Sequence, residues 1–152
     1  MPKVAIIMGS TSDEKIMQHA HEYLAYFDIE FDTFVMSAHR TPDDTAEFAK
    51  NAAKNGYALI IAGAGMAAHL PGVIASHTTV PVIGVPLGGS ALNGLDALYS
   101  IVQMPRGIPV ATMAIGKSGA VNAAIYAAQI FAAANPSIQE KLDQFRANQC
   151  KL

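Results

Sequence analysis

The sequence is short of charged residues, since only 14% of its 152 residues are Asp, Glu, Lys or Arg, whereas soluble domains average about 25%. The net charge of −2 gives no electrostatic basis for binding nucleic acid or an anionic membrane surface. Hydrophobic residues make up 51% of the chain. So few charged residues leave too little polar surface to cover a monomer. We therefore expect a homo-oligomer that buries apolar surface between subunits.

Cysteine and long apolar runs are also scarce. Cys150 is the single cysteine, which excludes an internal disulfide and a cysteine-based zinc site. The apolar run 4–8 is shorter than the core of a signal peptide. The run 120–134 contains two polar residues and is shorter than the roughly 20 residues that a membrane span requires. We therefore expect a cytoplasmic protein with no leader and no membrane segment.

Apolar runs alternate with segments of helical spacing along the chain, in five β-α units. The predicted strands are 4–8, 31–36, 58–62, 80–85 and 109–114. The predicted helices are 13–27, 43–55, 69–76, a segment within 91–103, 119–134 and 136–149. Nearly continuous apolar strands indicate a parallel sheet covered on both faces. We predict a single domain over residues 1–152, an α/β three-layer sandwich of flavodoxin-like type with strand order 2-1-3-4-5. The last helix, 136–149, is expected to pack on a neighbouring subunit.

Polar residues follow the first two predicted strands, at the edge of the sheet where α/β proteins bind ligands. In residues 9–13, a glycine and hydroxyl side chains precede a predicted helix. This arrangement suits a phosphate, but simple capping of the helix explains it as well. In residues 37–42, Thr41 and Pro42 can cap and start the next helix. Capping does not explain His39 and Arg40, a proton-transfer group beside an anion-binding group.

Small residues follow the third predicted strand, in a glycine-rich turn that begins at Gly63. They let a ligand approach the backbone, although tight helix packing explains the alanines equally well. The segment lacks the G-x-G-x-x-G dinucleotide pattern, because its sixth position is Ala68. His69 is either a buried structural histidine or a second residue of the site. No spacing of histidines and carboxylates predicts a metal site, and the chain has neither a P-loop nor a G-x-S-x-G nucleophile motif.

Taken together, the loops resemble the N5-carboxyaminoimidazole ribonucleotide mutase family, the class I catalytic subunits of phosphoribosylaminoimidazole carboxylase, in de novo purine (IMP) biosynthesis. The resemblance rests on MGSxSD at 8–13, SAHRTP at 37–42, AAHLPG at 67–72 and SIVQMP at 100–105, in order. It implies a cytoplasmic homo-octamer that uses neither metal nor other cofactor. It also implies an isomerase that moves a carboxyl group from the exocyclic nitrogen of an aminoimidazole ribonucleotide to ring carbon C4, through CO2 in a closed pocket.

The resemblance assigns a role to each candidate residue. His39 is the acid/base group. Asp13 and Ser10 contact the substrate, Asp13 at the ribose hydroxyls. The 5′-phosphate is held by Ser12, Ser37 and Arg40. The base and carboxylate end is lined by His69 and Leu70. The small-residue segment that includes Ala64 and Gly65 can wall the CO2 pocket and hold the carboxylate through its backbone N–H groups.

Two alternatives and one departure accompany this interpretation. A carboxylase that uses free CO2 is the nearest rival, but Arg40 and the AAHLPG segment favour the mutase. A flavodoxin-like module that binds flavin or another nucleotide without catalysis is the second.

The family usually has glycine where this chain has Met66. A methionine there would be strained if the position requires a positive φ, and would narrow the pocket if it faces the CO2.

Overall fold

The computed structural model describes all 152 residues, and its centre is a five-stranded parallel sheet in the order β2-β1-β3-β4-β5. The strands are β1 (Lys3–Met8), β2 (Glu30–Val35), β3 (Tyr57–Gly65), β4 (Val82–Leu87) and β5 (Ala111–Thr112). The predicted strand order is therefore confirmed. Because all five strands are parallel, their carboxyl ends lie along one edge of the sheet.

Seven α-helices connect and cover the strands. They are α1 (Glu14–Met17), α2 (His19–Tyr26), α3 (Pro42–Asn51), α4 (Leu70–His77), α5 (Leu95–Val102), α6 (Lys117–Ala132) and α7 (Pro136–Ala147). A short 3-10 turn, Thr11–Asp13, precedes α1. None of these helices is both long and apolar enough to cross a membrane.

The sheet carries a hydrophobic core on each face. One cluster packs alternate β1 side chains such as Ile6 against α2, α6 and α7. The other packs the intervening positions, such as Ile7, against α3, α4 and α5. This period-2 division of β1 explains why its sequence reads as an uninterrupted apolar run, and it gives the predicted three layers.

The last helix, α7, packs on its own chain. Phe145 is 1% exposed and stacks edge-on against Phe27, with ring centroids 5.7 Å apart. Lys141 pairs with Asp28 at 2.7 Å and donates a hydrogen bond to the carbonyl of Tyr26 at 2.8 Å. The apolar face of α7 is thus covered within the subunit. A contact between the predicted helix 136–149 and a neighbouring subunit would have to use the opposite face, and stays a prediction.

Several predicted boundaries are wrong for local physical reasons. The expected turn at Gly63 is strand, since β3 runs through Gly65 and pairs with β4 there. A Cβ at Gly63 would collide with the Met17 sulfur, so this glycine serves helix packing as well. Strand β5 forms only two residue pairs with β4, after Pro109, which has no N–H for a ladder. The predicted helix 13–27 is divided at Gln18.

Candidate active site

A cleft of about 590 Å³ opens at the carboxyl edge of the sheet, where the loops after β1, β2, β3 and β4 meet. All ten residues that the sequence proposed for the site line this cleft. They are Ser10, Ser12, Asp13, Ser37, His39, Arg40, Ala64, Gly65, His69 and Leu70. The structure thus brings together residues that lie up to 60 positions apart in the chain.

Two histidines from different loops form a direct hydrogen bond. The Nε2 atom of His39 lies 2.8 Å from Nδ1 of His69, and the two rings are nearly perpendicular at 82°. One nitrogen must donate and the other accept, so at most one of the two rings carries a positive charge while the bond persists. Both side chains are exposed to the cleft rather than buried in the core. This answers the question left open for His69, which is not a buried structural histidine.

The loop after β2 holds His39 in a closed turn. The Thr41 hydroxyl accepts a hydrogen bond from the Ser37 amide at 2.9 Å, and the Thr41 amide donates to the Ser37 carbonyl at 2.8 Å. The Ser37 hydroxyl accepts from the Arg40 amide at 3.1 Å. Thr41 occupies the N-cap position of α3 and Pro42 the first turn, as predicted, but the Thr41 side chain bonds back to the loop. The turn therefore fixes the backbone on both sides of His39.

A cationic side chain and two hydroxyls lie at the β1 end of the cleft. Arg40 Nη2 donates to the carbonyl of Gly9 at 2.9 Å, which ties the second loop to the first. The hydroxyls of Ser10 and Ser12 are 3.0 Å apart, and the Ser12 amide donates to the Ser10 hydroxyl at 3.3 Å. Ser10 is the N-cap of the 3-10 turn, and Asp13 is the N-cap residue of α1, where its side chain makes no capping hydrogen bond. Guanidinium, hydroxyls and amides in one place suit a phosphate.

Asp13 is half-buried beside this group, and burial raises the pKa of its carboxyl above the ordinary value of 3.8. A backbone hydrogen bond from Ser10 and the positive charge of Arg40 act in the opposite direction but do not cancel the effect of burial. A partly desolvated carboxylate is a strong acceptor for hydroxyl groups, because fewer water molecules compete for it.

The β3 end of the cleft is lined by small and apolar groups. Ala64 and Gly65 are the last two residues of β3, and Leu70 begins α4. Ala64 and Leu70 are 7% and 3% exposed, so they form a firm wall rather than a mobile loop. This end, next to the histidine pair, can hold an uncharged or planar group.

Met66 occupies the bend between β3 and α4. Its φ is +55°, in the left-handed region that favours glycine, and its side chain is 67% exposed while lining the cleft. The sequence predicts strain at Met66 if the position has a positive φ. It does, and the methionine backbone is therefore strained.

The sequence interpretation missed two lining residues, Gly89 and Ser90, which follow β4. Gly89 has φ +94°, and the Ser90 hydroxyl donates to Asp96 Oδ1 at 3.0 Å. A signal was present, because glycines and a serine after an apolar strand mark a fourth loop at the same edge. Neither in this cleft nor elsewhere in the chain is a group of three His, Cys, Asp or Glu side chains arranged to hold a metal ion.

Comparison with known proteins agrees with this geometry. The sequence profile of the family described as "AIR carboxylase" matches residues 3–151. An N5-carboxyaminoimidazole ribonucleotide mutase of Haemophilus influenzae is 55% identical over 150 residues, covering 99% of this chain and 92% of that protein. The mutase of Bacillus subtilis is 56% identical over 147 residues, with 97% and 91% covered. The crystal structure of Treponema denticola PurE superposes with a TM-score of 0.88 at 29% identity, covering 98% of this chain and 92% of that one. The sheet order, the four-loop cleft and these similarities agree: the chain belongs to the AIR carboxylase family.

Proposed function

We propose that this protein is an N5-carboxyaminoimidazole ribonucleotide mutase, an isomerase of purine biosynthesis that needs neither metal nor other cofactor. The observation that carries the proposal is the hydrogen-bonded pair of His39 and His69 beside Arg40 in one cleft. The mutases of Haemophilus influenzae and Bacillus subtilis, at 55% and 56% identity, support the same reaction. The cleft volume of about 590 Å³ is within the range of pockets that bind small molecules.

The reaction requires one proton to be given and one to be taken. When the N–C bond of the N-carboxylate breaks, CO2 leaves and the exocyclic nitrogen takes a proton. When C4 then attacks CO2, a C–C bond forms and C4 loses its proton. A single group near neutral pH can give the first proton and accept the second. His39 can do both, and its bond to His69 orients the ring and provides a neighbouring nitrogen for the proton.

Substrate binding follows from the two ends of the cleft. The 5′-phosphate lies at Arg40, Ser12 and Ser37, where a guanidinium and hydroxyls are available. Asp13 accepts the ribose hydroxyls, together with Ser10. The base and its carboxyl group lie against Ala64, Gly65, His69 and Leu70. This orientation places C4 near His39 and keeps the CO2 at high effective concentration beside it.

Two other functions make different predictions for the same cleft. A carboxylase acting on aminoimidazole ribonucleotide would take CO2 from solution. A flavodoxin-like binding module would hold flavin or another nucleotide without turnover, although no Phe, Tyr or Trp lines this cleft to stack on a flavin ring.

Transfer of a carboxyl label separates the three functions. The substrate is N5-carboxyaminoimidazole ribonucleotide with a ¹³C carboxyl group, in unlabelled bicarbonate and without ATP. A mutase retains the label at C4 of the product, while a carboxylase dilutes it with bicarbonate carbon. No product from folded protein would favour the binding module, and bound flavin after purification would identify its ligand. His39→Asn, which replaces an exposed side chain, is the control with strongly reduced turnover.

Assembly into a cytoplasmic homo-octamer is part of the same proposal. Its support is the number of large apolar side chains that a single subunit leaves exposed on α5, α6 and nearby loops. They include Leu92 at 61%, Leu95 at 49%, Tyr99 at 62%, Val102 at 44% and Tyr126 at 40%. Light scattering coupled to size exclusion should give eight times the 16.0 kDa mass of one chain, and a monomer would contradict the assembly.

A further inference from the structure

The loop after β4, residues 88–94, forms the side of the cleft next to the end of β3. It contributes Gly89 and Ser90 to the lining. Leu87, the last residue of β4, pairs with Gly65, the last residue of β3. Strands β1 and β2, whose loops form the phosphate end, lie on the other side of β3. Ser90 therefore lies beside the end of the cleft assigned to the base, away from the phosphate.

The same loop is closed on itself and fixed in shape. A Cβ on Gly94 would lie only 3.3 Å from the Cα of Gly88, so the two ends of the loop touch. Asn93 and Gly94 make the bend, with φ values of +54° and +89°. The Asn93 amide donates a hydrogen bond to the Ser90 carbonyl at 3.1 Å. The backbone of Ser90 is thus held within the loop, and its side chain is the part that can recognise a ligand.

The hydroxyl of Ser90 is turned in one direction by a carboxylate. It donates to Asp96 Oδ1 at 3.0 Å, and both residues are half-buried. Asp96 belongs to the first turn of α5 and does not line the cleft. A serine hydroxyl has one hydrogen and two lone pairs. Because the hydrogen is engaged by Asp96, the oxygen offers a ligand only its lone pairs, and the negative charge of the carboxylate makes it a stronger acceptor.

This orientation is opposite to that of the serine at the phosphate end. The Ser37 hydroxyl accepts from the Arg40 amide and keeps its own hydrogen for an oxygen of the ligand. The Ser90 oxygen cannot donate in its present orientation, so it does not suit a phosphate or carboxylate oxygen, which are acceptors as well. It suits an N–H group. At the base end of the proposed substrate, the N–H is on the exocyclic nitrogen.

We propose that Ser90 accepts a hydrogen bond from the exocyclic N–H of the aminoimidazole base, and that Asp96 is the positioning residue that keeps the Ser90 hydroxyl turned for this contact. The proposal rests on the proposed function, which supplies the ligand. The exocyclic nitrogen carries one hydrogen in the N-carboxylated substrate and two after CO2 has left, so an N–H is present throughout the transfer. The contact takes part in no bond change. It binds substrate and product alike, and therefore acts on KM more than on kcat.

Two ligands that differ only in the amine test this contact. One is 4-carboxy-5-aminoimidazole ribonucleotide, and the other is the same compound with hydrogen in place of the amino group. Isothermal titration calorimetry gives both dissociation constants, and their ratio reports the contribution of the amine. In Ser90→Ala the amino ligand should bind about 2-fold to 10-fold more weakly, as expected for one lost hydrogen bond, while the deaminated ligand binds as it does to wild type. KM should rise by the same factor with kcat nearly unchanged.

Variants of Asp96 separate a positioning role from a merely structural one. Asp96→Asn keeps an oxygen that accepts from Ser90 and should retain most of the preference for the amine. Asp96→Ala frees the hydroxyl to turn and should lose most of that preference, whatever its unfolding temperature. Ser76→Ala is the matched control, because the Ser76 hydroxyl bonds the Val73 carbonyl and does not line the cleft. It should leave both dissociation constants at their wild-type values.

Each contrary outcome has a distinct meaning. An unchanged ratio of dissociation constants in Ser90→Ala would overturn the contact. Equal weakening of both ligands would overturn it too, since the loop would then act on the shape of the cleft and not on the amine. Equal losses in Asp96→Asn and Asp96→Ala would refute the positioning role of Asp96. If wild type neither binds the amino ligand nor forms the C4-carboxylated product, the proposed function fails, and the inference fails with it for that separate reason.

Discussion

The bond between His39 and His69 leads to a specific expectation for mutant kinetics. Replacing His39 by Asn removes the group that transfers the proton, a contribution of about 10²- to 10⁴-fold in rate. At about 1.36 kcal/mol per factor of ten, this is a barrier increase of roughly 3–5 kcal/mol. Both side chains are exposed to the cleft, so the fold should not be affected.

Replacing His69 by Asn should have a smaller effect that depends on His39. The two ring nitrogens are 2.8 Å apart, and groups in such contact couple by about 0.5–3 kcal/mol. The expected loss in kcat for His69→Asn is therefore about 2-fold to 150-fold. If His69 acts by orienting the His39 ring and sharing its proton, the double variant should be no slower than His39→Asn alone.

The assay is carboxyl transfer followed by ¹³C NMR, which reports the bond that the label occupies. Circular dichroism and the unfolding temperature of each variant control for folding. If the two single effects instead multiply in the double variant, the histidines act independently. The interpretation of their hydrogen bond as a functional unit would then be refuted.

Three further perturbations test other parts of the structure. Arg40→Lys keeps the charge but loses the forked donor that bonds the Gly9 carbonyl, and should raise KM about 10-fold to 100-fold with a smaller change in kcat; an unchanged KM would remove Arg40 from phosphate binding. Asp13→Asn should raise KM, because the carboxylate proposed to accept the ribose hydroxyls is lost, and it should be more stable than wild type at neutral pH. Burial raises the folded-state pKa of Asp13 above 3.8, so ionisation of this carboxyl destabilises the folded wild type as the pH rises above that value. The unfolding temperature of Asp13→Asn should therefore exceed that of wild type at neutral pH and equal it below pH 3.8; equal stability at neutral pH would contradict this. Phe145→Ala, at a side chain 1% exposed, should lower the free energy of unfolding by about 3–5 kcal/mol in a urea titration without altering KM; a loss near zero would mean that α7 is not anchored there.

The sheet could be predicted because each strand carries a local signal that its environment reinforces. β1 and β4 are buried on both faces, so their apolar runs have only one reasonable interpretation. The predicted length of the edge strand β5 is too great, since an apolar run predicts burial and not the number of ladder hydrogen bonds. The extension of β3 through Gly65 was missed because glycine usually signals a turn, whereas here Gly63 makes room for Met17.

The site could be predicted as a set of loops but not as a set of contacts. Polar residues after parallel strands must meet at one edge, which is enough to group Ser10, Arg40 and His69. The bond between His39 and His69 depends on the closed turn at Ser37 and Thr41 and on the end of β3, and neither is visible in residue types. Gly89 and Ser90 were missed because their loop lacks a charged or titratable side chain.

The packing of α7 has a consequence for how this protein can change over time. Its anchoring contacts, Phe145 on Phe27 and Lys141 on Asp28, involve the end of α2 and the residues that lead into β2, near the amino edge of the sheet. The cleft lies at the carboxyl edge. Substitutions that tighten the amino edge can thus accumulate without altering the chemistry, and they can offset a destabilising residue such as Met66 at the other end. A strained loop becomes tolerable to evolution when the stability that compensates for it is maintained elsewhere in the same chain.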